Sequence, residues 1–136
     1  MAMDLPGAAG SGLCLDPRPD SVAAGRRWTR GHAAAVGASA DHLEVIELLT
    51  SELVANAVVH GPRDGRITVG AARRGDTVKV TVADRSDRAP MVRRPGPHDL
   101  GGRGLVLLAS MSTAWGFDLH PGDGKDVWFE LSLFDA

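Results

Sequence analysis

The sequence predicts an α+β fold, a two-layer sandwich in which a mostly antiparallel sheet carries its helices on one face. Two observations lead to this prediction. The predicted elements follow the order β-α-α-β-β-loop-α-β-β, in which short hairpin turns join consecutive strands. Strands 66–73 and 77–84 each alternate apolar and polar residues, which is typical of a sheet with one face packed on a core. The 136 residues suffice for one domain and are too few for two.

The first residues of the chain, 1–11, are small and rich in Gly and Ala, and we expect a flexible N-terminus there. Residues 12–136 are predicted to form a single domain. Its elements in chain order are strand 12–15, helix 21–36, helix 41–60, strands 66–73 and 77–84, helix 104–111, and strands 113–119 and 127–134.

Local signals mark several of these boundaries. Asp41 and Glu44 are spaced as in a capping box at the start of the second helix, and Gly61-Pro62 predicts its end. Gly75-Asp76 predicts the hairpin turn between two strands. Residues 85–103 show no period and are long for a loop in so small a domain, which is typical of a functional lid or a disordered segment.

Composition excludes several classes of function. The formal net charge of −2 leaves no basic footprint for nucleic acid, and no apolar run approaches the roughly 20 residues that span a membrane. A single cysteine, Cys14, excludes an internal disulfide. We therefore expect a cytoplasmic protein. With no Tyr and 4% aromatic residues, its core must be built from Leu, Val and Ala.

The second helix carries polar residues in its apolar stripe. At about 100° per residue, Glu52 and Asn56 lie on the same face as Val45 and Leu49, and His60 is one turn further along. One interpretation is a stripe edge, where the carboxylate reaches solvent and the amide bonds a loop. The other is a general base beside a metal ligand. Periodicity alone does not decide between them.

Two further segments are ambiguous when taken singly. Asp84 ends a buried strand, where it could accept a hydrogen bond from a ligand or simply form a turn. The glycine-rich residues 101–105 stand at the mouth of the predicted helix 104–111. Glycines there let the backbone approach a phosphate at a helix N-terminus, but they serve equally well as a hinge.

The order of the motifs is more specific than any one of them. E-x-x-x-N-x-x-x-H on a helix is followed by D-x-S-x-x-x-P after a strand, by G-x-G-L at a helix and by G-K-x-V-W-F-E-L in the last strand. This pattern resembles the GHKL (Bergerat-fold) ATPases and, among them, the anti-sigma-factor serine kinases of bacteria. The resemblance covers about residues 13–134, nearly the whole chain.

The resemblance implies a role for each matching residue. Glu52 matches the catalytic base, Asn56 the ligand of the Mg²⁺ that bridges the ATP phosphates, and Asp84 the acceptor for the adenine amino group. Residues 85–103 match the lid that closes over ATP. The implied nucleotide-binding residues are Asn56, Asp84, Ser86, Gly102, Arg103, Gly104 and Leu105.

Two positions depart from the family pattern. Ser86 stands where many members have the glycine of D-x-G. Asp126 stands where the family has the threonine of G-K-T. We expect this extra carboxylate to lie near Asp84, to repel it and to raise one of the two pKa values. Asp126 thereby bears on nucleotide affinity and leaves the fold unaffected.

The leading hypothesis is an ATP-dependent serine/threonine protein kinase that holds a sigma factor inactive and phosphorylates an anti-sigma-factor antagonist. The resemblance also implies a homodimer formed through the first strand and helix. One alternative, motivated by Asp126, is a nucleotide-binding interaction module that lacks kinase activity. Another is the ATP-binding half of a histidine kinase, but the residues before the Glu52 helix do not resemble the helical hairpin that it would need.

Overall fold

A computed structural model of the chain describes residues 2–4, 10–86 and 100–133. Within this part of the chain, six strands form one antiparallel sheet and three helices lie against it. The elements are β1 (Ala2–Asp4), β2 (Gly10–Leu15), α1 (Ser21–Ala35), α2 (Ala40–His60), β3 (Ile67–Arg74), β4 (Thr77–Asp84), α3 (Leu100–Met111), β5 (Ala114–His120) and β6 (Gly124–Ser132).

The strands follow the order β1-β2-β3-β4-β6-β5, and each neighbouring pair is antiparallel. Helix α1 packs on α2 and β3, α2 packs on β4, and α3 packs on α2 and β5. The helices therefore form one layer over one face of the sheet, and the predicted two-layer α+β sandwich is confirmed. None of the helices in the described ranges is long and apolar enough to cross a membrane.

Alternation along β4 explains how the sheet meets the helices. Val78, Val80 and Val82 are buried against the helix layer, and the residues between them are only partly buried. The aligned positions of β6 behave alike, with Phe129 fully buried. The core is made mainly of Leu, Val and Ala, as the composition predicts, and the described residues add Ile46, Ile67 and Phe129 to it.

Helix α2 is capped differently from the prediction. Ser39 is the N-cap: its hydroxyl accepts a hydrogen bond from the backbone N–H of His42 at 3.3 Å. A capping box starting at Asp41 is therefore wrong, because the helix has already begun at Ala40. The predicted end is confirmed, since the N–H of Gly61 closes the last turn on the Ala57 carbonyl at 2.9 Å.

Two strands begin earlier than predicted. The sequence predicts a flexible stretch over residues 1–11, but Ala2–Asp4 forms β1 and β2 already begins at Gly10. Strand β6 begins at Gly124, which pairs with His120 across the β5–β6 turn. In both places, residues that composition and side-chain pattern assign to a terminus or a turn belong to a strand instead. The reason is that their backbone pairs with a neighbouring strand.

Candidate functional site

The motifs of α2 and β4 meet at one end of the sheet. Glu52 and Asn56 lie in the second half of α2, and Asp84 is the last residue of β4. The two elements touch where α2 ends, because a Cβ added at Gly61 would lie 3.7 Å from the Cβ of Asp84. Helix α3, which carries the glycine-rich motif, packs against α2 as well. The fold therefore brings three separated sequence segments to a common helix.

Glu52 and Asn56 are one helical turn apart and both are half-buried. They flank the buried stripe of α2, in which Leu49 and Leu53 face the core. The prediction that both residues lie beside the apolar stripe of the helix is therefore confirmed. His60, at the end of the helix, is exposed. The carboxylate oxygen Oε2 of Glu52 has almost no solvent-accessible area. A buried carboxylate oxygen next to an amide is an arrangement that can bind a proton or a cation.

The side-chain oxygen of Asn56 stands out. Its Oδ1 atom is buried and has no hydrogen-bond partner within the part of the chain that the structure describes. An unsatisfied buried acceptor costs about 1–3 kcal/mol, so this oxygen is suited to a group that arrives with a ligand. Amide oxygens are among the hard ligands that Mg²⁺ accepts.

Asp84 is held from two sides. Its side chain is buried, and its Oδ1 atom accepts a hydrogen bond from the backbone N–H of Ser86 at 2.7 Å. Its Oδ2 atom lies 3.4 Å from Nζ of Lys125, and this lysine is also buried. Ser86 itself is 8% exposed. The carboxylate is thus an oriented, paired group at the end of the sheet.

Lys125 is a site residue that sequence reasoning missed. It appears in the last-strand motif, yet its contact with Asp84 depends on the pairing of β6 with β4, in which the two residues stand directly opposite each other. One signal was available in the sequence. Lys125 shares the alternation of Val127 and Phe129, so it belongs to the buried face of β6.

The predicted position of Asp126 is wrong. Side chains alternate along a strand, so Asp126 and Lys125 project from opposite faces of β6. Asp126 stands opposite Ala83, on the face turned away from the helices and from Asp84. There its Oδ2 atom lies 3.0 Å from Nε2 of His120. This hydrogen bond and the charge of Asp126 raise the pKa of His120 above its usual value.

The glycine-rich motif lies inside a helix. The sequence predicts helix 104–111 with the glycines before it, but α3 begins at Leu100, so Gly102, Arg103, Gly104 and Leu105 fall in its first two turns. A glycine in a helix interior lowers helix stability by about 1 kcal/mol relative to alanine. The same helix carries Leu108, which is fully buried in the core. Gly102 is still among the leading residues whose N–H groups lack a helical partner, and Arg103 follows it in the first turn.

The predicted lid, 85–103, lies mostly outside the described residues. Arg85 and Ser86 follow β4, and residues 100–103 are the start of α3 rather than a loop. The glycines at 102 and 104 are therefore part of a helix that packs on α2, which is a correction to the predicted lid boundary.

Comparison with known proteins agrees with this arrangement. Residues 15–131 match the model of the family described as "Histidine kinase-like ATPase domain". The chain is 31% identical to the serine-protein kinase RsbW of Listeria monocytogenes and 30% identical to that of Listeria innocua, with 73% of this chain and 73% of each relative covered. The predicted resemblance to the anti-sigma-factor serine kinases is confirmed by these matches.

A solved structure is similar in fold. It is the crystal structure of the RsbU and RsbW domains of a Mycobacterium tuberculosis protein, with a TM-score of 0.68 and 25% sequence identity over 89% of this chain. The present chain spans 32% of that longer chain. The likeness therefore concerns one domain of a multidomain protein.

Proposed function

The chain belongs to the family of histidine kinase-like ATPase domains, and we propose that it is an ATP-dependent serine/threonine protein kinase acting as an anti-sigma factor. It binds a sigma factor and phosphorylates a serine of the sigma factor's antagonist. The observation that carries this proposal is the pair Glu52 and Asn56, one turn apart and half-buried on the helix whose end, at Gly61, approaches Asp84. A module that only binds nucleotide needs no base at Glu52.

Asn56 fits a magnesium ion. Its buried Oδ1 atom has no partner among the described residues and is a hard oxygen ligand. The described residues contain no group of three His, Cys, Asp or Glu that could hold a metal. Mg²⁺ commonly takes one or two protein ligands and completes its shell with phosphates and waters. When bound, the ion neutralises charge on the transferring phosphoryl group.

The other site residues have different roles in the proposed reaction. Glu52 accepts the proton of the attacking serine hydroxyl, a step that typically contributes about 10²–10⁴-fold in rate. Asp84 accepts a hydrogen bond from the amino group of adenine. The first turn of α3, which contains Gly102 and Arg103, presents the unpaired N–H groups of its leading residues to the phosphates, where a helix N-terminus favours negative charge.

The partners follow from the same proposal. The protein binds a sigma factor and an anti-sigma-factor antagonist in the cytoplasm, and it acts as a homodimer formed through its first strands and α1. Support comes from relatives named serine-protein kinase RsbW. The alternative of a binding module without kinase activity rested on Asp126 and on the lid. Asp126 lies on the opposite face of the sheet from Asp84, and the lid lies mostly outside the described residues. No observation therefore favours that alternative.

The experiment separates nucleotide binding from phosphoryl transfer. Calorimetry with Mg-ATP is expected to give clear binding for the native chain and weaker binding for Asn56→Ala. Transfer of labelled phosphate to a purified antagonist is expected to fall by about 10²–10⁴-fold in Glu52→Gln, with Mg-ATP binding retained. The control is Glu44→Gln, an exposed glutamate on the same helix, which is expected to change neither.

Two results would contradict the proposal. Absence of binding at millimolar Mg-ATP would remove both the kinase and the nucleotide site. Tight Mg-ATP binding with no transfer to any antagonist would leave a nucleotide-dependent binding module instead.

A further inference from the structure

Lys125 and Asp84 form a buried ion pair at the end of the sheet. Their charged atoms are 3.4 Å apart, and the side chains are 9% and 5% exposed. Lysine is almost never this buried unless it is paired. The backbone favours the contact, because Gly124 lies so close to β4 that a Cβ there would be 2.7 Å from the Cα of Arg85. This close approach brings the first residues of β6 against the last residue of β4.

The pair leaves Asp84 able to accept more hydrogen bonds. An ionised carboxylate has about four acceptor positions on its two oxygens. Among the described residues, Oδ1 receives the N–H of Ser86 and Oδ2 faces Lys125. These two contacts fix the plane and direction of the carboxylate while each oxygen keeps a lone pair. The result is an oriented acceptor rather than a mobile side chain.

We propose that Lys125 is a positioning residue that fixes the direction of the Asp84 carboxylate, and that the pair thereby selects a nucleobase with an exocyclic amino group over one with a carbonyl oxygen at that position. The inference rests on the proposed binding of ATP. Adenine offers an amino donor at its position 6, whereas guanine offers an acceptor oxygen there. Two acceptors facing each other in a buried place have no proton to share, so a guanine nucleotide is disfavoured.

The ammonium group is what makes this discrimination stable. Without it, the Oδ2 atom of Asp84 loses the contact that holds it in place, and the carboxylate can turn toward solvent. A carboxylate turned away from the ligand accepts no hydrogen bond from the adenine amino group, so the preference for adenine falls.

The test compares the affinities of Mg-ATP and Mg-GTP by calorimetry. In Lys125→Met, which keeps the length of the side chain and removes its charge, the ratio of ATP to GTP affinity is expected to fall about 10- to 100-fold, the effect of one hydrogen bond to a charged group. Lys125→Arg keeps the cation and is expected to restore most of the ratio. The control is Lys79→Met, whose lysine lies 4.6 Å from the ring centre of Trp128 on the other face of the sheet.

Several outcomes would overturn the inference. An unchanged ratio in Lys125→Met, even with lowered thermal stability, would make the ion pair purely structural. Tighter ATP binding in that variant would mean that the ammonium occupies space that the ligand needs. If Lys125→Met does not fold, the neutral pair Asp84→Asn with Lys125→Met replaces it, and retained discrimination there is equally contrary.

The proposed function and the role of Lys125 can be tested separately. If the native chain binds no nucleotide, the proposed function and this inference are both wrong. If the native chain binds Mg-ATP and Asn56→Ala weakens it, while Lys125→Met keeps the native ratio, the proposed function stands and the inference alone is wrong.

Discussion

Replacing Gly124 with alanine is expected to destabilise the protein strongly, because two separate costs meet at this residue. Its φ of 98° lies in a region that L-residues rarely adopt, which costs about 1–2 kcal/mol. A Cβ there would also overlap the Asp84 carbonyl oxygen and lie 2.7 Å from the Cα of Arg85. Overpacking of this kind costs about 1–3 kcal/mol, so the expected total is about 2–5 kcal/mol.

The neighbouring turn provides a matched control. Gly122 also has a positive φ, 81°, but a Cβ there would meet no atom within 4 Å. Gly122→Ala is therefore expected to lose about 1–2 kcal/mol, the conformational cost alone. The difference between the two variants isolates the close approach of β6 to β4.

Urea unfolding followed by tryptophan fluorescence measures both variants. With a slope near 2 kcal/mol per molar urea, within the range of about 1–3 for small proteins, Gly124→Ala is expected to lower the midpoint by at least roughly 1 M. Equal losses in the two alanine variants would refute the reasoning, because they would show that β6 does not press on the end of β4. Mg-ATP affinity is expected to fall in Gly124→Ala and not in Gly122→Ala.

Three further predictions test other parts of the structure. Phe129→Ala, at a fully buried ring, is expected to cost about 3–5 kcal/mol of unfolding free energy in the same urea assay, and a loss below about 1 would contradict its place in the core. Ser39→Ala is expected to lower the free energy of unfolding by about 0.5–2 kcal/mol, because it removes the N-cap hydrogen bond, and Asp41→Ala is expected to lower it less. Thermal unfolding measures both variants, and a larger loss in Asp41→Ala would favour the predicted capping box. Because the Asp126 hydrogen bond raises the pKa of His120 above 6.5, its contribution to stability is present below about pH 6.5 and is lost as pH rises through the raised value. An NMR titration checks this, since Asp126→Asn should move the His120 pKa back toward its usual value.

Much of the fold could be predicted because local patterns carry it. The alternation in Thr77–Asp84 matches β4 residue for residue, and the end of α2 at Gly61 follows from a backbone bond that any helix end requires. The predicted elements were wrong where contacts with residues distant in sequence determine the local structure. Helix α3 extends back to Leu100 through glycines that disfavour helix locally. Strand β1 exists through backbone pairing with β2, which composition does not reveal.

The candidate site divides in the same way. The spacing of Glu52 and Asn56 follows from the helical period, so their neighbouring positions on one helix are predictable from sequence. That the oxygen of Asn56 is buried without a partner among the described residues is a fact of packing. So is the approach of the α2 C-terminus to Asp84. Sequence motifs name candidate groups, and packing decides which of them are desolvated and aimed.

What the amino-acid sequence determines by itself is the type of each element, the order of the motifs and the family to which they belong. The tertiary structure alone decides that Lys125, and not Asp126, accompanies Asp84. The physical reason is the two-residue period of a strand: adjacent residues project from opposite faces, so the partner of Asp84 depends on the register between β4 and β6. That register arises from pairing between strands separated by a helix and a third strand. A shift of one residue would have placed a carboxylate where the ammonium group lies.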